Sequence, residues 1–100
     1  MEVRELQKNV VDLFEAWDKK RNVTYDEQLA FTHLVEEVGE LASQYVDQKA
    51  RKDRYSDAEV ENAIGDILLQ TIRLADLRGL DIEKVLMKIV EDDQKKLKMG

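Results

Sequence analysis

Residues 34–41 read Leu-Val-Glu-Glu-Val-Gly-Glu-Leu, and residues 63–69 read Ala-Ile-Gly-Asp-Ile-Leu-Leu. Each places a glycine directly before a carboxylate, inside what is otherwise the apolar stripe of a helix. A mid-helix glycine costs roughly 1 kcal/mol relative to alanine. Close approach of two packed helices is the usual compensation, so the two segments are expected side by side, with Glu37 and Glu40 facing Asp66.

At roughly 100° per residue, His33, Glu36, Glu37 and Glu40 fall within one arc of about 100°. That arc adjoins the one holding Leu34, Val38, Leu41 and Tyr45. A charged arc is ordinarily a solvated face, supported by lysines one turn away. Here no lysine or arginine occurs from Asn22 to Gln48. Asp66 is the sharper anomaly, because its face includes Ala63, Leu69 and Leu77. A carboxylate in such surroundings must neutralise itself or find a cation. Arg73 lies seven residues on, about 10 Å along the axis, too far for a partner in the same helix. Glutamates at i, i+3 and i+4, with an aspartate on a neighbouring helix, suit a hard divalent cation. Mg²⁺ takes oxygen ligands and bridges carboxylates to phosphates.

The remainder reads as all-α. Proline and cysteine are absent, only four glycines occur, and no segment alternates with a period of two. The first helix is expected over residues 2–20, with Lys19, Lys20 and Arg21 at its C-terminal dipole and Asn22 as a left-handed cap. Thr24 and Glu27 fit a capping box for a second helix running to Ala50. Residues 51–55 form a connector. Ser56 and Glu59 cap a third helix that Gly79 ends. Asp81 opens a fourth, which frays into a lysine-rich tail. Phe14, Trp17 and Phe31 are expected in the core. Four helices with short links predict a compact four-helix bundle in a single domain over residues 1–100.

With 43% hydrophobic and 38% charged residues, the composition is that of a globular protein rather than a disordered one. The net charge of −6 disfavours a nucleic-acid polymer as partner. No apolar run reaches the ~18 residues of a membrane span, and a cytoplasmic location is expected. Without cysteine, thiolate chemistry and disulfides are excluded. A single histidine in H-x-x-E order does not make the two E-x-x-H motifs of a di-iron bundle.

In order, spacing and hydrophobic setting, "LVEEVGELA" and "IGDILLQTIRLADLRGLDIEKVL" resemble the MazG-type all-α nucleoside triphosphate pyrophosphohydrolases, most strongly over residues 20–90. The resemblance implies a helical, oligomeric protein, a homodimer or homotetramer. It also implies that Mg²⁺ or Mn²⁺ assists attack by water near the α-phosphorus, giving a monophosphate and pyrophosphate. By the same resemblance Glu37, Glu40 and Asp66 are metal ligands, and Glu36 is a further ligand or general base. The family usually carries a glutamate three residues before the aspartate, where this chain has Ala63. Asn62 lies on nearly the same face as Asp66 and can hold a water. Glu61 is about 140° away, and Glu59 shares the face two turns off. His33 can contact base or phosphate, and the basic residues Lys49, Arg51, Lys52 and Arg54 can steer a triphosphate or simply form a solvated connector. The missing acid leaves a second reading open, a weakened or inactive relative that binds nucleotide or serves assembly.

Overall fold

The computed structural model describes residues 2–99, and within them the chain is all-α. Four α-helices follow one another: α1 Val3–Arg21, α2 Glu27–Ala50, α3 Asp57–Leu77 and α4 Ile82–Met99, with a 3-10 turn at Lys52–Arg54. This is the expected four-helix architecture. Helix α2 packs chiefly on α3, α1 lies against α3, and α4 leans on α1.

Local chemistry sets the helix ends. Asn22 takes the left-handed conformation (φ 55°, ψ 49°), and its N–H donates to the carbonyls of Asp18 and Lys19. That backbone well suits asparagine better than most residues with a Cβ. Helix α2 is capped by Asp26 rather than Thr24: Oδ1 of Asp26 accepts the N–H of Leu29 at 2.8 Å. Starting two residues earlier would place Tyr25 inside the helix, whereas outside it the ring lies over Arg73. Ser56 caps α3 as expected, its hydroxyl accepting the Glu59 N–H at 3.4 Å. The reciprocal half of that box is absent. The Ser56 N–H donates instead to Oε1 of Gln44 on α2, at 3.0 Å. Beyond α3, Gly79 adopts φ +70°, and Asp81 opens α4 by accepting the N–H groups of Glu83 and Lys84.

The lysine-rich tail does not fray, and α4 stays helical to Met99. Glu91 and Lys95, and Asp92 and Lys96, stand at the i,i+4 spacing that supports a helix, with lysines toward its negative dipole end. Gln7 fixes the α3–α4 link to α1. Its Nε2 donates to the Leu80 carbonyl at 2.9 Å and its Oε1 accepts the Ile82 N–H at 3.0 Å.

The buried apolar core is small: Val10, Ala30, Ala63 and Ile72. Among the described residues no large side chain is fully buried. Phe31 is 55% exposed and Trp17 40%, so neither belongs to the core of the isolated chain. The radius of gyration, 16.6 Å, exceeds the ~13 Å typical of a closed 100-residue globule. Gly39 and Gly65 do not mark the closest approach of α2 and α3. A Cβ at either would meet nothing within 4 Å, because both face outward. The small residues that are covered are alanines, Ala30 of α2 at 0% exposed and Ala63 of α3 at 5%.

Candidate active site

Helix α2 presents Glu37 and Glu40 one turn apart, and α3 brings Asp66 to them. The side chain of Glu37 is only 12% exposed. Burial raises its carboxyl above the ordinary value of 4.5, and the charges of Glu40 and Asp66 raise it further; His33 acts in the opposite sense. The two glutamates and the aspartate are thus near enough to repel one another. Among the described residues no cation stands between them. Oε2 of Glu37 is buried without a hydrogen-bond partner. An orphaned buried carboxylate oxygen beside two more carboxylates is the arrangement a divalent cation would relieve. In donor chemistry the three carboxylates fit the metal expected from the sequence. As the side chains stand, no group of three or more acidic or histidine residues among the described residues is placed to hold a metal ion.

Two cavities meet at Asp66. One, of about 230 Å³, lies between α2 and α3 and is lined by Glu40, Gln44, Glu59, Asn62 and Ala63. Ala63 is 5% exposed, so the position of the missing glutamate forms a buried part of that wall. Glu59 reaches the same cavity. The other cavity, about 330 Å³, opens between α1, α2 and α3. Trp17, Tyr25, His33, Glu37, Gln70 and Arg73 line it. Gln70 is 5% exposed, and its Oε1 is a buried acceptor that receives no hydrogen bond.

Of the remaining expected residues, Asn62 joins Glu40 and Asp66 and His33 stands beside Glu37, whereas Glu36, Lys49 and Arg54 line neither cavity. Arg51 is engaged by Asp47 at 2.6 Å. Arg73 pairs with Asp18 of α1, not with Asp66. Its guanidinium is sandwiched between the Phe14 ring, 4.0 Å from the centroid, and the Tyr25 ring, at 3.6 Å. Sequence spacing carried no sign of this cluster, because its members lie on three different elements. The sequence signal for Gln70 was weak: a polar side chain on an otherwise apolar stretch of α3.

The chain is thus an all-α protein that brings acids from two neighbouring helices together beside a cavity. Over residues 26–97 the sequence matches the family described as the MazG nucleotide pyrophosphohydrolase domain, and the chain belongs to that family. Neither a curated protein nor a solved structure matches it. No helix among the described residues is long and apolar enough to cross a membrane.

Proposed function

We propose that this chain is a Mg²⁺-dependent pyrophosphohydrolase that cleaves a nucleoside triphosphate to a monophosphate and pyrophosphate. The observation that carries this reading is the orphaned, buried Oε2 of Glu37, on a carboxyl that feels the charges of Glu40 and Asp66. Glu37, Glu40 and Asp66 hold the cation, with Mn²⁺ an acceptable substitute. When bound, the cation neutralises charge developing on the phosphates and makes a water more acidic. The amide of Asn62 orients water in the cavity it shares with Asp66. Glu36, on the solvent side of α2, serves as a further ligand or accepts a proton from the attacking water. The new bond joins water oxygen to the α-phosphorus. The bond to the bridging oxygen breaks, and pyrophosphate leaves with the electron pair.

The α1–α2–α3 cavity suits the nucleoside end of the substrate. Trp17 offers an aromatic wall, and Oε1 of Gln70 waits for a donor. Lys49 and Arg54 lie outside it and act by attracting the triphosphate. His33, expected to contact base or phosphate, has both ring nitrogens engaged, by Tyr25 and by Glu37, and meets neither through them.

Residues 1–100 form one MazG-like domain acting in the cytoplasm as a homodimer or homotetramer, with no nucleic-acid polymer as partner. Support comes from the uncovered apolar side chains Phe31, Val38, Tyr45, Ile64 and Leu68, which leave α2 and α3 an apolar flank that a second copy would cover. A second reading, a weakened relative serving nucleotide binding or assembly, is favoured by the buried alanine at position 63.

Nucleoside triphosphates incubated with Mg²⁺ or Mn²⁺ and assayed for pyrophosphate release decide between the two. Turnover of at least one substrate, lost in Asp66→Asn, is expected. Absence of turnover, together with unchanged Mg²⁺ binding in Asp66→Asn, overturns the enzymatic reading.

A further inference from the structure

Glu37 is held from its own helix. His33, at i−4, places Nε2 3.2 Å from Oε1 of Glu37. The other ring nitrogen of His33, Nδ1, lies 3.0 Å from the Tyr25 hydroxyl. An ionised carboxylate only accepts, so the proton at the first contact belongs to Nε2. In the neutral ring Nδ1 then carries the lone pair, and the phenol donates into it. The result is a directed chain from Tyr25 through His33 to Oε1 of Glu37, with Oε2 left buried and without a partner.

The chain is anchored at its far end. The Tyr25 ring rests on the guanidinium of Arg73, itself 6% exposed, stacked on Phe14 and paired with Asp18. An aromatic ring clamped in this way has little freedom to turn. Both nitrogens of His33 are occupied, so in this arrangement neither remains for a nucleotide.

We propose that Tyr25 and His33 form a positioning pair that occupies Oε1 of Glu37 and presents Oε2 to the divalent cation. The inference rests on the reading of Glu37 as a cation ligand. Groups that orient a metal ligand in this manner are commonly worth ten- to a hundredfold in metal affinity. Neither residue touches substrate or cation. Tyr25 contributes through one hydroxyl, His33 through one N–H.

Calorimetric titration of the nucleotide-free full chain with Mn²⁺ tests the proposal. Tyr25→Phe keeps the ring over Arg73 and removes only the hydroxyl. His33→Ala removes the donor, whereas His33→Gln offers an amide N–H in its place. Both Tyr25→Phe and His33→Ala should weaken Mn²⁺ binding about tenfold, and His33→Gln should recover part of the loss. His33 is the only histidine in the chain, so its imidazole nitrogens are read without ambiguity by nitrogen-edited NMR. The Nε2–H tautomer should dominate in the parent and give way to a mixture in Tyr25→Phe, a readout independent of any effect on stability. Glu37→Gln serves as the reference. If Glu37→Gln leaves Mn²⁺ affinity unchanged, the ligand assignment fails and the positioning role with it. If Glu37→Gln weakens binding but Tyr25→Phe and His33→Ala stay within twofold of the parent, or if the parent shows the Nδ1–H tautomer, the positioning role alone is overturned.

Discussion

Replacing Arg73 with methionine tests the cluster that ties α1, α3 and the α1–α2 connection together. Methionine keeps an unbranched side chain of similar reach but removes the charge. The substitution forfeits two cation–π contacts, at 4.0 Å to Phe14 and 3.6 Å to Tyr25. Each is worth about 0.5–2 kcal/mol when partly desolvated. It also strands Asp18, whose side chain remains 25% exposed. Breaking a fully buried pair costs about 3–5 kcal/mol, and the access of water to Asp18 reduces that share considerably. A net loss of about 3 kcal/mol is expected. For a chain of this size each kcal/mol lowers Tm by about 4–8 °C, so the melt should fall by about 12–24 °C. Thermal unfolding followed by far-UV circular dichroism, at fixed protein concentration, provides the measurement. A second variant guards the interpretation: Arg73→Met combined with Asp18→Leu leaves no stranded charge and should recover a substantial part of the loss. An Arg73→Met melt within about 2 °C of the parent, against the 4–8 °C per kcal/mol just used, would show that the buried cation does not anchor α1 to α3. A double variant no better than the single would refute the stranded charge as a cause.

Two further outcomes follow from the acid site. Because the folded carboxyl of Glu37 is raised above 4.5, the unfolded chain releases this proton first as pH climbs. The metal-free fold therefore loses stability from about that pH upward, and the full penalty is present above the raised value. Glu37→Gln should accordingly melt higher than the parent at neutral pH without metal. The advantage should vanish below 4.5, and a gain that persists unchanged into acid would exclude ionisation as its cause. Ala63→Glu restores an acid to a buried wall beside Glu40 and Asp66. At an effective dielectric of about 20 a like charge ~6 Å away costs about 2–3 kcal/mol, so the metal-free variant should melt lower. Its Mg²⁺ affinity, measured by calorimetry, should rise at least about tenfold, or about 1.4 kcal/mol; an unchanged affinity would show that position 63 does not face the cation.

The elements legible in the sequence are those whose causes are local. Apolar spacing located the helices, and Asn22, Ser56, Gly79 and Asp81 marked ends within a residue or two, because each acts on its own backbone neighbours. The pairing of Glu37 and Glu40 with Asp66 was legible too, since two helical faces with uncompensated acids have few ways to be satisfied. What escaped depends on distant partners. Arg73 and Asp18 are 55 positions apart, and nothing in either neighbourhood names the other. Thr24 was the expected cap, but Asp26 takes that place and leaves Tyr25 outside the helix with its ring over Arg73. Gly39 and Gly65 were expected at the helix contact on the strength of their helix cost. Periodicity cannot say whether a small residue is covered or bare, and both are bare in the isolated chain.

That no large side chain is fully buried among the described residues bears on how much working protein a cell would contain. Under the assembly proposed above, the folded form draws much of its stability from a second copy, so dilution favours the unfolded chain. Active protein would then rise more steeply than in proportion to synthesis, with little below a threshold and a rapid increase above it. A modest change in expression would act as a switch on nucleotide hydrolysis, without any effector binding to the chain.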